Sequence, residues 1–378
     1  MRNCRGFALG VAALAAAAWA GGAQAAGGLP DTLVWSTYDV GSTGYVEASA
    51  IADAFGKKYG TRIRLQPSGT SIGRLLPLKQ KRVSYAWLAN EAFFASEGLY
   101  EFGAADWGPQ DLRVMLGRVN GFSVVVTKVS GIQSVADLKG KRFAFVPANS
   151  SVNIKIEGIL AFAGLAMSDM QVVPFASYAA SLKALVEGKA DAAGAAPNAA
   201  VLYELASSPN GIGWVPLPAD NAKGWAAAQK AVPFLEPFRD TVGAGISEAA
   251  PGQVMGYRYP MVTIYADASS DDVYAVTKAI IDTYDLYKDA NPIMSRWHVS
   301  KSGTPPMDAA FHDGAIRALK EAGVWTAETQ AWQDKTLARQ KLLQAAFQKA
   351  TADAKAQNVP ADGFVKFWQE RRLQALGN

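Results

Sequence analysis

The sequence is poor in the residue types that carry catalysis and metal binding. It has one cysteine, Cys4, and two histidines, His298 and His312, among 378 residues. A single cysteine excludes an intramolecular disulfide, so packing has to stabilise the fold. A nucleophile needs a base within hydrogen-bond reach, and only His298 and His312 could serve as one. H-E-x-x-H, C-x-x-C and EF-hand patterns are missing too, so the sequence predicts no metal, no cofactor and no catalytic residue.

Charge of one sign and long apolar runs are also scarce. The formal net charge of +4 is mild, and its basic residues form no long block, which argues against a nucleic-acid partner. The exception is the N-terminus, where two arginines, an alanine-rich run and Ala23-Gln24-Ala25 have the layout of a secretory signal. We predict cleavage after Ala25 and a periplasmic location for the rest. A retained N-terminal anchor is the alternative.

What the sequence does contain is a repeated unit of strand, turn and helix. An apolar strand runs into a turn of small polar residues and then into a helix at residues 33–55, 62–76 and 143–163. This alternation predicts parallel sheets covered by helices on both faces. About 350 residues after the signal exceed one ordinary core, so we expect two α/β lobes. Long strands at 122–127 and 257–267 would cross between them.

These elements define predicted boundaries along the chain. Residues 1–25 form the signal peptide. Lobe 1 consists of residues 26–128 and 258–325, and lobe 2 of residues 129–257. Residues 326–378 read as a helical C-terminal extension. A further helix after Val273 is expected to start at an N-cap formed by Asp271 or Asp272.

The three turns point to an anion-binding cleft. At the carboxyl ends of parallel strands, helix N-termini expose unpaired N–H groups with partial positive charge. The turns add hydroxyl and amide groups, so a small carboxylate is the simplest ligand. The alternative is that these side chains are ordinary N-caps. Tyr45, Tyr257 and Tyr259 are pocket candidates, while Arg74 and Arg258 could each pair with a carboxylate or be solvated.

Five segments follow one another along the chain: GSTGYVEASAIADAF, SGTSIGRLLPLKQKRVSYAWLANEAFF, GIQSVADLKGKRFAFVPANSSVNIKIEGIL, LKALVEGKADAAGAAPNAAVLYELA and FHDGAIRALKEAG. In this order they resemble the TAXI family, the extracytoplasmic solute-binding proteins of tripartite ATP-independent periplasmic (TRAP) transporters. The resemblance covers roughly residues 33–325. It implies a type II periplasmic-binding-protein fold, hinged by crossing strands, that clamps a small carboxylate-bearing solute. The extension after residue 325 lies outside it.

The resemblance, together with the candidates above, assigns ligand binding to residues on the turns and on the return strand. They are Ser42, Thr43, Tyr45, Ser68, Gly69, Thr70, Ser71, Asn90, Asn149, Ser150, Ser151, Asn153, Pro197, Asn198, Arg258 and Tyr259. The chain departs from the family pattern in the first turn, which has fewer glycines and one tyrosine instead of two. It also has Ala148-Asn149 where the family has a second proline and a glycine. Both changes put the commonest family solute in doubt.

The resulting hypothesis is a non-enzymatic binding protein. It would capture an amino acid or another small organic anion and deliver it to the integral membrane subunit of a TRAP transporter. One alternative is the solute receptor of an ATP-driven (ABC) importer or a periplasmic sensor. Another is a secreted hydrolase that uses the same cleft.

Overall fold

The structure, a computed structural model, describes residues 28–232 and 234–377. The predicted signal peptide and its cleavage site lie outside these residues. Among the described helices, none is long and apolar enough to cross a membrane.

The first lobe starts with two of the predicted strand–turn–helix units. Its elements are β1 (Thr32–Tyr38), α1 (Thr43–Tyr59), β2 (Arg62–Ser68), α2 (Ser71–Lys79), β3 (Tyr85–Leu88) and α3 (Glu91–Glu97). Strand β1 pairs in parallel with β2 on one side and with β3 on the other. The carboxyl ends of these strands therefore meet at one edge of the sheet, where the turns lie.

The chain leaves this lobe through β4 (Leu112–Thr127), a strand long enough to belong to two sheets. The second lobe then contains β5 (Arg142–Phe145), α4 (Ser150–Phe162), β6 (Gln171–Pro174), α5 (Tyr178–Val186), β7 (Ala192–Ala195), α6 (Ala200–Ser207), β8 (Ile212–Trp214), α7 (Ala222–Ala231) and β9 (Glu236–Asp240). Strand β5 pairs in parallel with β6 and β7, so this lobe repeats the plan of the first.

Strand β10 (Gly252–Tyr265) brings the chain back to the first lobe. It pairs antiparallel with β4 from Met255 opposite Phe122 to Tyr265 opposite Leu112, and it also pairs with β3. The strand order is β2-β1-β3-β10-β4-β7-β5-β6. Four helices follow: α8 (Ser270–Asp282), α9 (Tyr284–Tyr287), α10 (Val299–Ser302) and α11 (Asp313–Glu321). The predicted fold class, two α/β lobes joined by crossing strands, is confirmed.

The C-terminal extension is helical, as predicted. It consists of α12 (Ala327–Ala356) and α13 (Phe364–Ala375). The two helices pack on each other around a small core of their own, which contains Leu343, Phe364 and Trp368. Helix α12 begins at Thr326, whose side chain accepts a hydrogen bond from the Thr329 N–H.

Side-chain caps explain where the helices begin. In the three predicted turns the N-cap residues are Ser42, Thr70 and Asn149. The side chain of each accepts a hydrogen bond from the N–H of the residue three positions later, as N-caps do. The N-cap predicted for α8 is wrong. Ser269 caps this helix, and Asp271 and Asp272 lie in its first turn. Carboxylates in the first turn interact favourably with the partial positive charge of the helix N-terminus.

A buried ion pair fastens α1 to the crossing strand β4. The side chains of Glu47 and Arg118 are both 0% exposed. Arg118 donates from Nε to Glu47 Oε2 at 2.7 Å and from Nη2 to the other carboxylate oxygen. The indole N–H of Trp297 also donates to Glu47. Because these groups are buried, loss of Arg118 leaves the Glu47 carboxylate without a counter-ion.

We therefore expect Arg118→Ala to lower the free energy of unfolding by about 3–5 kcal/mol, the usual cost of leaving a buried charge unpaired. Urea denaturation measures this. Lys57→Ala, which breaks the solvent-exposed pair with Asp53 on the same helix, is the matched control and should cost less than about 1 kcal/mol. Equal losses for the two variants would show that the pair does not secure α1.

Candidate ligand-binding site

A small cavity lies between the two lobes. Its volume is about 20 Å³. It is lined by Tyr38, Arg74 and Ala89 from lobe 1, by Phe122, Tyr257 and Tyr259 from the crossing strands, and by Asn149, Ser151, Val152, Lys155, Tyr178 and Ala196 from lobe 2. A space of this size admits molecules as small as water. An organic solute can therefore enter only if the lobes separate.

Aromatic side chains form much of the cavity wall. Tyr257 and Tyr259 are two residues apart on β10, so both point to the same face, and their rings stack with centroids 5.5 Å apart. Tyr38 meets Tyr259 edge-on at 4.9 Å. Burial raises the pKa of both Tyr257 and Tyr259, so their hydroxyl groups are neutral at physiological pH. The faces of these three rings give the cavity an apolar surface.

Lys155 and Arg74 are the two cationic side chains of this wall. The Lys155 side chain extends from α4 and is 1% exposed. The ammonium donates to Asn90 Oδ1 at 2.9 Å, to Ser151 Oγ at 3.1 Å and to the Ser151 carbonyl oxygen. It also lies 4.4 Å from the ring centroid of Tyr257. Within the described part of the chain, no carboxylate forms an ion pair with it.

Burial makes this charge unfavourable. It lowers the pKa of Lys155 from 10.5 to about 7, and the more distant carboxylates of Glu91 and Asp308 offset only part of the effect. An anion in contact with the ammonium would compensate the charge directly.

Arg74, by contrast, is already paired. It donates to Glu91 Oε1 from Nε and from Nη2, both at 2.8 Å, and to the Ser68 carbonyl oxygen at 3.1 Å. Tyr38 donates its hydroxyl to the same carboxylate oxygen at 3.1 Å. Burial alone would raise the pKa of Glu91, but the Arg74 charge and hydrogen bond outweigh it and lower that pKa. The two charges of this pair balance each other.

Asn90 links Lys155 to a second acid group. Its amide nitrogen donates to Asp308 Oδ2 at 2.8 Å while its oxygen accepts from Lys155. Burial raises the pKa of Asp308 to about 7, against the opposing effects of the Asn90 hydrogen bond and the Lys155 charge. Asp308 and Lys155 thus both change charge near neutral pH.

The structure brings some of the predicted residues to this cavity. Asn149, Ser151 and Tyr259 line it, and Asn90 contacts Lys155 directly behind it. The hydroxyl of Tyr259 accepts a hydrogen bond from the Gly44 N–H at 2.9 Å, so this amide at the start of α1 is already used.

Other predicted residues form contacts between the lobes. Ser150 donates to Ser71 Oγ at 3.3 Å and to Glu101 Oε1 at 2.6 Å. Asn149 donates to the Gly69 carbonyl oxygen at 3.4 Å. On the other side of the cavity, Thr43 donates to Asn198 Oδ1 at 2.9 Å. These hydrogen bonds hold the lobes in the closed arrangement.

The remaining predicted residues do not line the cavity. Ser42, Ser68 and Thr70 form hydrogen bonds within their own turns. Asn153 donates to the Val146 carbonyl oxygen, the Pro197 carbonyl oxygen accepts from the Ala244 N–H, and Tyr45 lies outside the cavity wall.

Arg258 lies away from the cavity for a geometric reason. Tyr257 and Tyr259 face the cavity, so the side chain between them points to the other face of β10. There it donates to the Lys301 carbonyl oxygen at 3.4 Å. Of the two arginines considered from the sequence, Arg74 is the one on the wall.

Sequence reasoning missed Lys155, Glu91 and Asp308, as well as the rings of Tyr38, Phe122 and Tyr178. One signal was present for Lys155. It is the only basic residue of α4 and lies four residues after Ser151, so the two share a helix face. Asp308 carried no such local signal.

Comparison with known proteins gives a family and several weak structural similarities. A protein from Bordetella bronchiseptica RB50 is 19% identical, with 81% of this chain and 98% of that chain covered and a TM-score of 0.46. The alkanesulfonate-binding protein SsuA from Xanthomonas axonopodis pv. citri, bound to MOPS, is 20% identical over 83% and 95% of the two chains, with a TM-score of 0.40. A TctC solute-binding protein from Polaromonas is 13% identical over 84% and 98%, with a TM-score of 0.41. No curated protein matches the sequence.

The family assignment rests on sequence. The model of the NMT1-like family matches residues 36–323, which include both lobes and every residue that lines the cavity. Since this match covers well over half of the chain, the protein belongs to the NMT1-like family.

Proposed function

We propose that the protein is an extracytoplasmic solute-binding protein. It captures a small carboxylate-bearing solute, an amino acid or another organic acid, between its lobes and delivers the solute to the membrane component of a TRAP transporter. The observation that carries this proposal is the Lys155 ammonium, which is buried in the cavity wall without a carboxylate in contact. The resemblance of the sequence to the TAXI family supports the choice of transporter.

Capture starts from an open form. The solute carboxylate meets Lys155 in a site that becomes dry on closure, where a charge-assisted hydrogen bond is stronger than in water. The rings of Tyr38, Tyr257 and Tyr259 cover the apolar part of the solute and exclude water. Strands β4 and β10 are the connections about which the lobes turn.

Closure then depends on the solute. Hydrogen bonds such as Ser150 to Glu101 and Thr43 to Asn198 join the lobes directly, and the ion pair of Arg296 with Asp240 also links them. Each such hydrogen bond contributes only about 1 kcal/mol net. A ligand that contacts both lobes can therefore shift the equilibrium toward the closed form. The closed surface is what the membrane partner would recognise.

Binding of carboxylates by the purified protein tests the proposal. Isothermal titration calorimetry with L-glutamate, L-glutamine, succinate and 2-oxoglutarate should find at least one ligand with a micromolar Kd, roughly −8 kcal/mol. Succinamide, which lacks the charge, should not bind. Lys155→Met should weaken the best ligand by about 2–5 kcal/mol, because a buried charge pair is lost.

The thermal midpoint of Lys155→Met serves as the control, because it shows whether the variant is still folded. Lys155→Met replaces a buried cation by an apolar chain of similar length, so the thermal midpoint should not fall. Wild-type affinity in Lys155→Met would remove Lys155 from the site. Failure of every carboxylate, combined with a native mass spectrum that shows a copurified neutral solute, would overturn the proposal.

The pH dependence of binding gives a separate prediction. The pKa of Lys155 is lowered to about 7 in the folded protein, so above that pH the Lys155 amine of the unliganded protein is mostly neutral. Binding of a carboxylate then requires that Lys155 take up a proton. The pKa of Asp308, raised to about 7, means that a negative charge appears over the same range; it repels an anionic ligand, although it also favours the Lys155 ammonium. We expect affinity to fall by up to about tenfold per pH unit between pH 7 and 9.

Two variants separate the contributions of these groups. In Lys155→Arg the side chain stays positively charged from pH 7 to 9, and in Asp308→Asn the side chain carries no charge. The double variant should therefore bind the carboxylate with an affinity that hardly changes between pH 7 and 9. Calorimetry in buffers of different ionisation enthalpy measures the protons taken up. A wild-type affinity that does not change from pH 7 to 9 would contradict the prediction.

The lowered pKa of Lys155 also makes the free energy of unfolding depend on pH. Between about pH 7 and 10.5 the unfolded chain holds a proton on Lys155 that the folded chain has lost. The unfolded state then binds more protons, so the cost of burying Lys155 falls as pH rises through this window. The stability advantage of Lys155→Met over wild type should accordingly shrink from pH 7 to pH 10 in urea denaturation.

A further inference from the structure

The C-terminal extension contacts the end of α3, the helix whose other end carries cleft residues. Helix α3 spans Glu91–Glu97, so only two turns separate Glu91, which pairs with Arg74, from Glu97. Asn90, the partner of Lys155, is the residue immediately before this helix. A displacement of the Glu97 end is therefore transmitted to the cleft over about 10 Å of rigid helix.

Two arginines of the extension bind Glu97. Arg339 of α12 donates from Nε to Oε1 at 2.6 Å and from Nη2 to Oε2 at 2.8 Å, a two-pronged pair. Arg372 of α13 donates to the same carboxylate and, at 3.2 Å, to the Glu97 carbonyl oxygen. Glu97 and Arg372 are buried, so this contact is geometrically specific.

The next residue, Gly98, is held as tightly. Its carbonyl oxygen accepts from Trp368 Nε1 at 2.6 Å and from Gln369 Nε2 at 3.0 Å. Gly98 has φ of +63°, and a Cβ at this position would lie 2.9 Å from Trp368 Nε1. The extension thus satisfies carbonyl groups that the end of α3 leaves without partners in the helix.

A second contact holds the segment that carries Asp308. Gln333 of α12 accepts from the Phe311 N–H and donates to the Phe311 carbonyl oxygen, both at 2.8 Å. Phe311 lies three residues after Asp308, which accepts from Asn90. The extension therefore supports both partners of the Asn90–Asp308 hydrogen bond, the bond that orients the amide toward Lys155.

We infer that the C-terminal extension is a positioning element of the cleft: through Arg339, Arg372 and Gln333 it fixes α3 and the 308–311 segment, and so the groups that hold the Lys155 ammonium in place. This extension lies outside the residues matched by the family model, 36–323. The inference that it tunes solute affinity rests on the function proposed above. The inference that it holds these two segments does not.

The test compares two double variants of the full chain. Arg339→Ala with Arg372→Ala removes both contacts to Glu97. Lys349→Ala with Arg371→Ala removes one charge from each of the same two helices but breaks contacts only within the extension, to Asp353, to Gln374 and to the ring of Phe367. Hydrogen exchange, followed by mass spectrometry without added solute, reports on the peptides that cover residues 91–98 and 306–312.

We expect the first double variant to exchange about tenfold faster in residues 91–98, because local opening becomes easier, with residues 306–312 and strands β5, β6 and β7 unchanged. Gln333→Leu, which removes the hydrogen bonds to Phe311, should speed exchange in residues 306–312 instead. The affinity for the best carboxylate of the panel should fall about fivefold or more, at a temperature where the variant is fully folded. The control variant should match wild type in both measurements.

Several results would overturn the inference. One is exchange like that of the control in the segment whose contacts were removed. Another is faster exchange spread evenly over the chain with a lower thermal midpoint, which would mark a general stabiliser. Faster local exchange with unchanged affinity would limit the extension to a structural role.

If the first double variant fails to fold, the single variant Arg339→Ala truncates a half-exposed side chain and breaks only the two-pronged pair with Glu97, and the same outcomes apply. If no carboxylate of the panel binds to wild type, the proposed function fails. The exchange measurement still decides whether the extension holds α3.

Discussion

The cleft depends on one unusual interaction, a buried ammonium that is solvated by neutral groups. Lys155 has Asn90 and Ser151 as its hydrogen-bond partners and aromatic rings beside it, while the nearby Arg74 has the carboxylate of Glu91. Burial of a charge without a counter-ion is costly, and proteins retain such an arrangement where a ligand supplies the missing charge. The paired Arg74 gives shape to the wall, and the incompletely compensated Lys155 is the group that the proposed anion would contact.

The surroundings of Lys155 account for the closed arrangement. The lysine belongs to lobe 2, and Asn90, which it contacts, belongs to lobe 1. The contact therefore exists only when the lobes are together. The neighbouring bonds from Ser150 to Glu101 and from Asn149 to Gly69 have the same property. Because these interlobe bonds are polar, they can exchange with water on opening, which keeps both forms accessible.

Local sequence patterns predicted the fold well and the site in part. Strand–turn–helix units and N-caps depend on neighbouring residues, so they can be recognised from short segments, and the same turns placed Asn149 and Ser151 at the cavity. The alternation of a strand could also have separated Tyr257 and Tyr259 from Arg258, since residues one apart face opposite sides. Lys155 and Asp308 come together only through tertiary structure, and their altered pKa values follow from burial that no spacing in the sequence reveals.

The contacts of α3 show how a chain can add support to a fold without changing its site. All residues that line the cavity lie within the part that matches the family model, yet the end of α3 is completed by side chains from beyond that part. A helix of two turns makes few hydrogen bonds of its own, so its orientation is set by what binds its ends. Here one end binds Arg74 and the other binds Arg339 and Arg372. The position of Asn90 relative to Lys155 is therefore determined from both sides of the helix, by the cleft and by the extension together.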